Sequence, residues 1–138
     1  MKLFVITSRI PYPLEKGDKL RIFHQLKGLS KTQKIYLCAL QSPFGKEHKN
    51  AKIVLSEFCE EVYFVKCSLF QVALCLIRSL FNSLPFQTAL FTDARAKKRV
   101  DQLIENIKPD HIYCQLTRVA EYVREKKHPK TLDYMDVF

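Results

Sequence analysis

The chain opens on Leu3-Phe4-Val5-Ile6, an apolar run with no polar alternation, which is the pattern of a strand covered on both faces. A central parallel strand is therefore predicted over residues 2–7. After a proline-containing loop the period changes. Ile22, Phe23, Leu26 and Leu29 fall on one side of a helix whose other side carries Lys19, Gln25 and Lys27, with Gly28 and Ser30 near its end. Apolar runs return at 34–40 and 61–66, separated by a turn-forming Ser-Pro-Phe-Gly stretch at 42–45 and a modest helix over 49–58. The succession strand, helix, strand, helix, strand implies a parallel sheet with right-handed crossovers.

In the second half, Ser68 is suited to capping a helix that runs to about Asn82 and is apolar on nearly every side except at Gln71 and Arg78. Such a helix packs against something: the core in the ordinary case, otherwise a partner domain, a subunit or a membrane surface. Leu84-Pro85-Phe86 interrupts the chain. Thr92 or Asp93 then opens a helix with Ala96, Val100, Leu103, Ile104 and Ile107 on one face and Arg95, Lys98 and Arg99 pointing away. Lys108-Pro109-Asp110 ends it and launches a strand at 111–115. Leu116, Val119, Ala120 and Val123 mark one more helix, and a last strand is expected over 131–135. The expected architecture is a single α/β domain over 1–138, a three-layer α/β/α Rossmann-like arrangement with a mainly parallel sheet.

Composition narrows the class. At 138 residues and 47% hydrophobic, the chain has enough apolar mass for one real core. The opening apolar run is too short for a signal peptide, and Leu69–Leu80 is too short and too polar for a membrane span, so a cytoplasmic protein is expected. Cys38, Cys59, Cys67, Cys75 and Cys114 are scattered, with no C-x-x-C pair, and read as reduced buried thiols; no metal site and no cofactor is expected. A net charge of +9 with a pI near 9.4 requires an anionic partner. Basic tracts with interleaved aromatics are absent, which argues against nucleic acid. His24 has no partner at helical spacing and reads as a surface or core-edge residue.

The candidate chemistry gathers where strands end. Thr7 to Arg21 joins the first strand to the first helix through Pro11 and Pro13, with Gly17 where the backbone must turn and Asp18 placed to cap the helix. In a parallel sheet this loop, residues 115–118 and residues 133–136 all follow carboxyl ends of strands, where the ligand crevice opens. The candidate cleft residues are Arg9, Tyr12, Gly17, Asp18, Lys19, Arg21, Gln115, Arg118, Asp133 and Asp136. Acidic residues end the last strand with no helix after them, so the chain is expected to be a piece of a longer protein.

Three blocks, Ser8-Arg9-Ile10-Pro11-Tyr12-Pro13 with Lys16-Gly17-Asp18-Lys19-Leu20-Arg21, Ile107-Lys108-Pro109-Asp110-His111-Ile112-Tyr113, and Thr131-Leu132-Asp133-Tyr134-Met135-Asp136, carry a resemblance. The chain resembles the N-terminal domain of GT-B-type glycosyltransferases, those with two Rossmann-like domains, of the kind that builds polysaccharide, lipopolysaccharide and capsule. The resemblance implies a retaining transferase whose N-terminal domain holds a saccharide or lipid-linked acceptor and whose second domain holds the nucleotide-sugar donor. It further implies that the loop containing Gly17 reaches the donor phosphates. Many relatives carry two adjacent glycines there, whereas this chain has Gly17-Asp18, so Lys19 or Arg21 is expected to supply positive charge. Gln115-Leu116-Thr117-Arg118 stands where some relatives place a His, so no catalytic residue is assigned. Alone, the chain is expected to be inactive; Arg95, Lys97, Lys98 and Arg99 on one helix suit either peripheral contact with an anionic membrane face or a solvated basic surface that keeps the protein soluble. The competing class is a stand-alone flavodoxin-like binding or regulatory module, or a basic adaptor for anionic surfaces. Ser8 and Arg9 replace the acidic cluster of a receiver domain, and neither G-x-G-x-x-G nor G-K-[ST] occurs.

Overall fold

A computed structural model describes residues 1–42, 50–68 and 93–134, together with Ala73 and Ile77. Five strands, β1 (Lys2–Thr7), β2 (Lys34–Gln41), β3 (Glu61–Lys66), β4 (His111–Gln115) and β5 (Lys130–Asp133), form one sheet in the order β3-β2-β1-β4-β5. Every pairing is parallel, with Val5 opposite Leu37 on one side and Tyr113 on the other. β1 is thus central, as its unalternating pattern predicts, and Phe4, Val5 and Ile6 are fully buried.

Helix α1 (Gly17–Leu29) and helix α2 (Ala51–Ser56) cover one face, where Ile22, Leu26 and Leu55 pack on Leu3, Val5, Ile35 and Leu37. Helix α3 (Ala94–Ile107) covers the other, its Val100, Leu103 and Ile104 packing on Phe4, Ile6, Cys38 and Ile112. The molecule is therefore the expected three-layer α/β/α arrangement with a wholly parallel sheet among the described residues. Its strand order reverses beside β1, the hallmark of a Rossmann-like sheet.

Several boundaries differ from expectation. Asp18 does not cap α1. Lys16 holds the extended cap conformation (φ −130°, ψ 146°) and Gly17 is already helical, so Asp18 lies inside the first turn with its carboxylate turned to Arg9. The segment after β4 is a short 3-10 helix (Thr117–Tyr122), preceded by Leu116 at φ 70°, ψ 153°. α2 is shorter than 49–58, and β5 begins one residue early and ends at Asp133, before Tyr134. Of the two residues that could open α3, Asp93 does so: its carboxylate accepts from Arg95 N at 2.8 Å and Ala96 N at 3.2 Å. Lys108 ends that helix in the left-handed region (φ 50°), and Pro109 prevents its resumption. The helix expected at 68–82 lies outside the described residues except Ser68 and the helical Ala73 and Ile77, as do residues 43–45, the Leu84-Pro85-Phe86 break and Cys75. The described cysteines are free thiols; Cys38, Cys59 and Cys114 are buried and Cys67 is half-buried. Among the described residues no helix is long and apolar enough to cross a membrane.

Candidate functional site

The crevice of such a sheet opens outside the carboxyl ends of the strands where the order reverses, here between β1 and β4. Strand alternation puts Thr7, Tyr113, Gln115 and Asp133 on the face that carries α1, under the start of that helix. Five of the expected cleft residues, Arg9, Asp18, Arg21, Gln115 and Asp133, are linked there by hydrogen bonds and ion pairs. Gln115 Nε2 donates to the Asp18 carbonyl at 3.3 Å, and Arg9 Nη1 lies 3.5 Å from Asp18 Oδ2. Arg21 Nη2 reaches Asp133 Oδ1 at 3.0 Å, across 112 residues of sequence. Thr7 Oγ1 donates to the Arg9 carbonyl at 2.8 Å and fixes the first turn of the loop.

Tyr113 was not among the sequence candidates, yet it completes the network. Its hydroxyl donates to Asp133 Oδ2 at 2.8 Å and sits 3.4 Å from Gln25 Oε1 of α1. Burial, reinforced by the hydrogen bond to the Asp133 carboxylate and its negative charge, pushes the Tyr113 hydroxyl well above the ordinary tyrosine range, so it remains a donor. The signal for it was the two-residue period: Tyr113 precedes Gln115 by two and must share its face.

Other candidates sit differently. Tyr12 is half-buried and packs against the apolar cluster under α1, beside a cis Tyr12–Pro13 peptide. Arg118 is half-buried on the 3-10 helix beyond Leu116. Asp136 lies outside the described residues. Gly17 is exposed at the first position of α1, with no positive φ, and a Cβ built on it meets nothing within 4 Å. The fold therefore does not demand glycine there, contrary to the expectation that the backbone must turn in a way only glycine allows.

The charge left over is positive. Arg9 and Arg21 are paired with Asp18 and Asp133, whereas Lys16 and Lys19 make no ion pair among the described residues. They flank the start of α1, whose first N–H groups carry the positive end of the helix dipole. Open space over Gly17, free backbone donors and two unpaired ammonium groups together suit an anion such as a phosphate. Two surface hollows lie away from this edge, one over α2 and one lined by Gln33 and Glu60 near the strands' amino ends.

The fold is a Rossmann-like α/β domain whose strand order reverses between β1 and β4. Comparison with known proteins adds one relative: an uncharacterized 44.6 kDa protein in the cps (capsule) region of Klebsiella pneumoniae, 29% identical over 137 residues. The match covers 96% of this chain and 31% of that protein, so the chain spans about a third of its relative's length. No family model matches the chain, and no solved structure does.

Proposed function

We propose that this chain is the N-terminal, acceptor-side domain of a two-domain, GT-B-type retaining glycosyltransferase that works in the assembly of capsule or a related polysaccharide. The observation that carries this reading is the loop at the strand-order reversal: open space over Gly17, the exposed start of α1, and Lys16 and Lys19, which make no ion pair among the described residues. The capsule-region name of the 44.6 kDa relative agrees with it.

Retaining transfer from a nucleotide sugar requires stabilising a departing diphosphate beside an oxocarbenium-like centre, work suited to fixed cations and helix N-termini. In this reading the start of α1 meets the donor phosphates across a cleft, and a second domain supplies the nucleotide pocket. The Arg21–Asp133–Tyr113 network ties α1 to β4 and β5 and holds the loop in register with the acceptor-side crevice. The acceptor is a saccharide, free or lipid-linked, and the parent protein works at the cytoplasmic side of the membrane.

Two measurements test the proposal together. The intact parent protein is assayed for sugar transfer from a panel of nucleotide sugars, and this chain alone is titrated calorimetrically with the same compounds. Transfer by the parent, with no micromolar or tighter site on the isolated chain, is the expected result. A tight one-to-one isotherm on the chain alone refutes the division of labour. A parent that neither transfers nor hydrolyses any donor refutes the enzymatic assignment.

A further inference from the structure

Among the described residues β5 lies at the edge of the sheet and pairs with β4 alone. Lys130 and Thr131 are exposed, and Leu132 and Asp133 are half-buried. Whereas β1 and β2 are held by side chains buried on both faces, β5 offers one aliphatic group, Leu132, packed against the cluster under α3. Its remaining side-chain ties are polar, and the charged ones stand at its two ends.

At the amino end, Lys130 Nζ donates to the main-chain carbonyls of Val123 at 3.2 Å and Arg124 at 3.0 Å and to that of Lys126. All three donors of the ammonium group are thereby used. A ring of carbonyl dipoles around a monovalent cation is how proteins also hold potassium, so the turn at 123–126 is a cation cage filled by the chain's own lysine. That turn is itself tied to α3, since Lys126 reaches Asp101 at 2.8 Å and Lys97 lies 3.9 Å from Glu125. In the middle of the strand, Thr131 Oγ1 lies 2.8 Å from His111 Nε2. At the carboxyl end, the Asp133 carboxylate takes Arg21 Nη2 at 3.0 Å and the Tyr113 hydroxyl at 2.8 Å.

We infer that β5 is a strap latched by the Lys130 ammonium group, that it opens as a unit without the rest of the sheet, and that its opening releases Arg21 and Tyr113 from Asp133. Opening exposes little apolar surface, so it costs far less than unfolding the domain. Closed, the strap sets a carboxylate against Arg21. Open, it leaves the Arg21 guanidinium uncompensated, and the crevice gains a cation. Lys130, remote from the crevice in the strand, thus sets the charge that the crevice presents. The inference stands apart from the transferase reading, because the strap can open whether or not the parent protein transfers a sugar.

Native-state hydrogen exchange of the chain, followed by nuclear magnetic resonance, tests it. The amides of Ile112 and Leu116 donate to the main-chain carbonyls of Pro129 and Asp133, at 2.9 and 3.0 Å, and report the two ends of the strap. Both should exchange at one common rate after correction for sequence, at least about a hundredfold faster than the central amides of β1 and β2. This comparison needs no variant. Lys130→Ala should speed both at least about tenfold, the loss expected for hydrogen bonds from a charged donor, and leave the β1 amides within about threefold. Propylammonium, which replaces the atoms removed, should slow them again, whereas tetramethylammonium at the same ionic strength, having no N–H, should not. Arg21→Ala, at the other end, should speed Ile112 as well as Leu116, by about threefold. Protection of Ile112 and Leu116 equal to that of β1, a Lys130→Ala chain that exchanges as the parent does or unfolds throughout, equal effects of the two ammonium ions, or an Arg21→Ala effect confined to Leu116 would each overturn the inference.

Discussion

Replacing Asp93 by alanine should destabilise the domain more than any substitution on the exposed faces of its helices. The carboxylate is 3% exposed and serves three backbone donors at once: Arg95 N at 2.8 Å and Ala96 N at 3.2 Å in the first turn of α3, and Ser68 N at 2.7 Å after β3. Loss of the helix cap costs about 1 kcal/mol, and within a range of about 0.5–2. The half-buried Ser68 N–H loses a charge-assisted acceptor, which costs about 1–2 kcal/mol more. The sum, about 2–3 kcal/mol, is a large fraction of the total stability of a domain of this size. Urea unfolding followed by far-ultraviolet circular dichroism measures it: the midpoint should fall by about 1.5–2 M at an unchanged slope. Asp93→Asn separates the two roles, because an amide keeps one acceptor oxygen for the cap but presents N–H rather than oxygen to Ser68. Its loss should be about half that of alanine. An alanine variant within about 0.5 kcal/mol of the parent protein would refute the reasoning.

Alkaline pH should weaken the fold through its thiols. Burial pushes Cys38 and Cys59 up to about 12 from 9.0, so the unfolded chain gives up these protons first. The stability they contribute is complete below pH 9 and is lost as pH rises from 9 towards 12, by about 1.4 kcal/mol per pH unit for each thiol. Urea midpoints at about pH 8 and pH 10.5 should show a shallower decline in Cys59→Ala than in the parent chain, and an identical decline would contradict the assignment. In the crevice, Asp133→Ala should cost about 1–2 kcal/mol, because it strips an acceptor from both Arg21 and Tyr113, whereas Arg21→Ala should cost less than about 1 kcal/mol because that side chain is 45% exposed. Equal losses in thermal unfolding would mean that Tyr113 finds another acceptor.

The sheet was legible because its central strands are buried on both faces, and unalternated runs such as Leu3-Phe4-Val5-Ile6 and Ile35-Tyr36-Leu37-Cys38 have few other interpretations. α3 was legible because its apolar stripe is regular and Asp93 satisfies a known cap chemistry. The start of α1 was misplaced by two residues because Asp18 has the right chemistry for a cap, whereas the backbone gives that role to Lys16. The helix expected after β4 is present as a 3-10 segment from Thr117, and nothing in the chemistry of Leu116 announces the positive φ that precedes it. The sequence placed Arg21 and Asp133 at one sheet edge but not against each other, since pairing across 112 residues depends on how α1 lies over β4 and β5. Tyr113 was within reach, since alternation alone sets it beside Gln115.

Gly17→Val in the intact parent protein tests the central claim most directly. A Cβ at Gly17 meets nothing within 4 Å and the residue has no positive φ, so the domain should fold and melt as before. If the start of α1 closes on the phosphates of a sugar donor, the added side chain blocks that approach, and kcat for transfer should fall at least about tenfold, or about 1.4 kcal/mol in the barrier. Unchanged turnover with an unchanged melting temperature would make the loop ordinary surface and contradict the account.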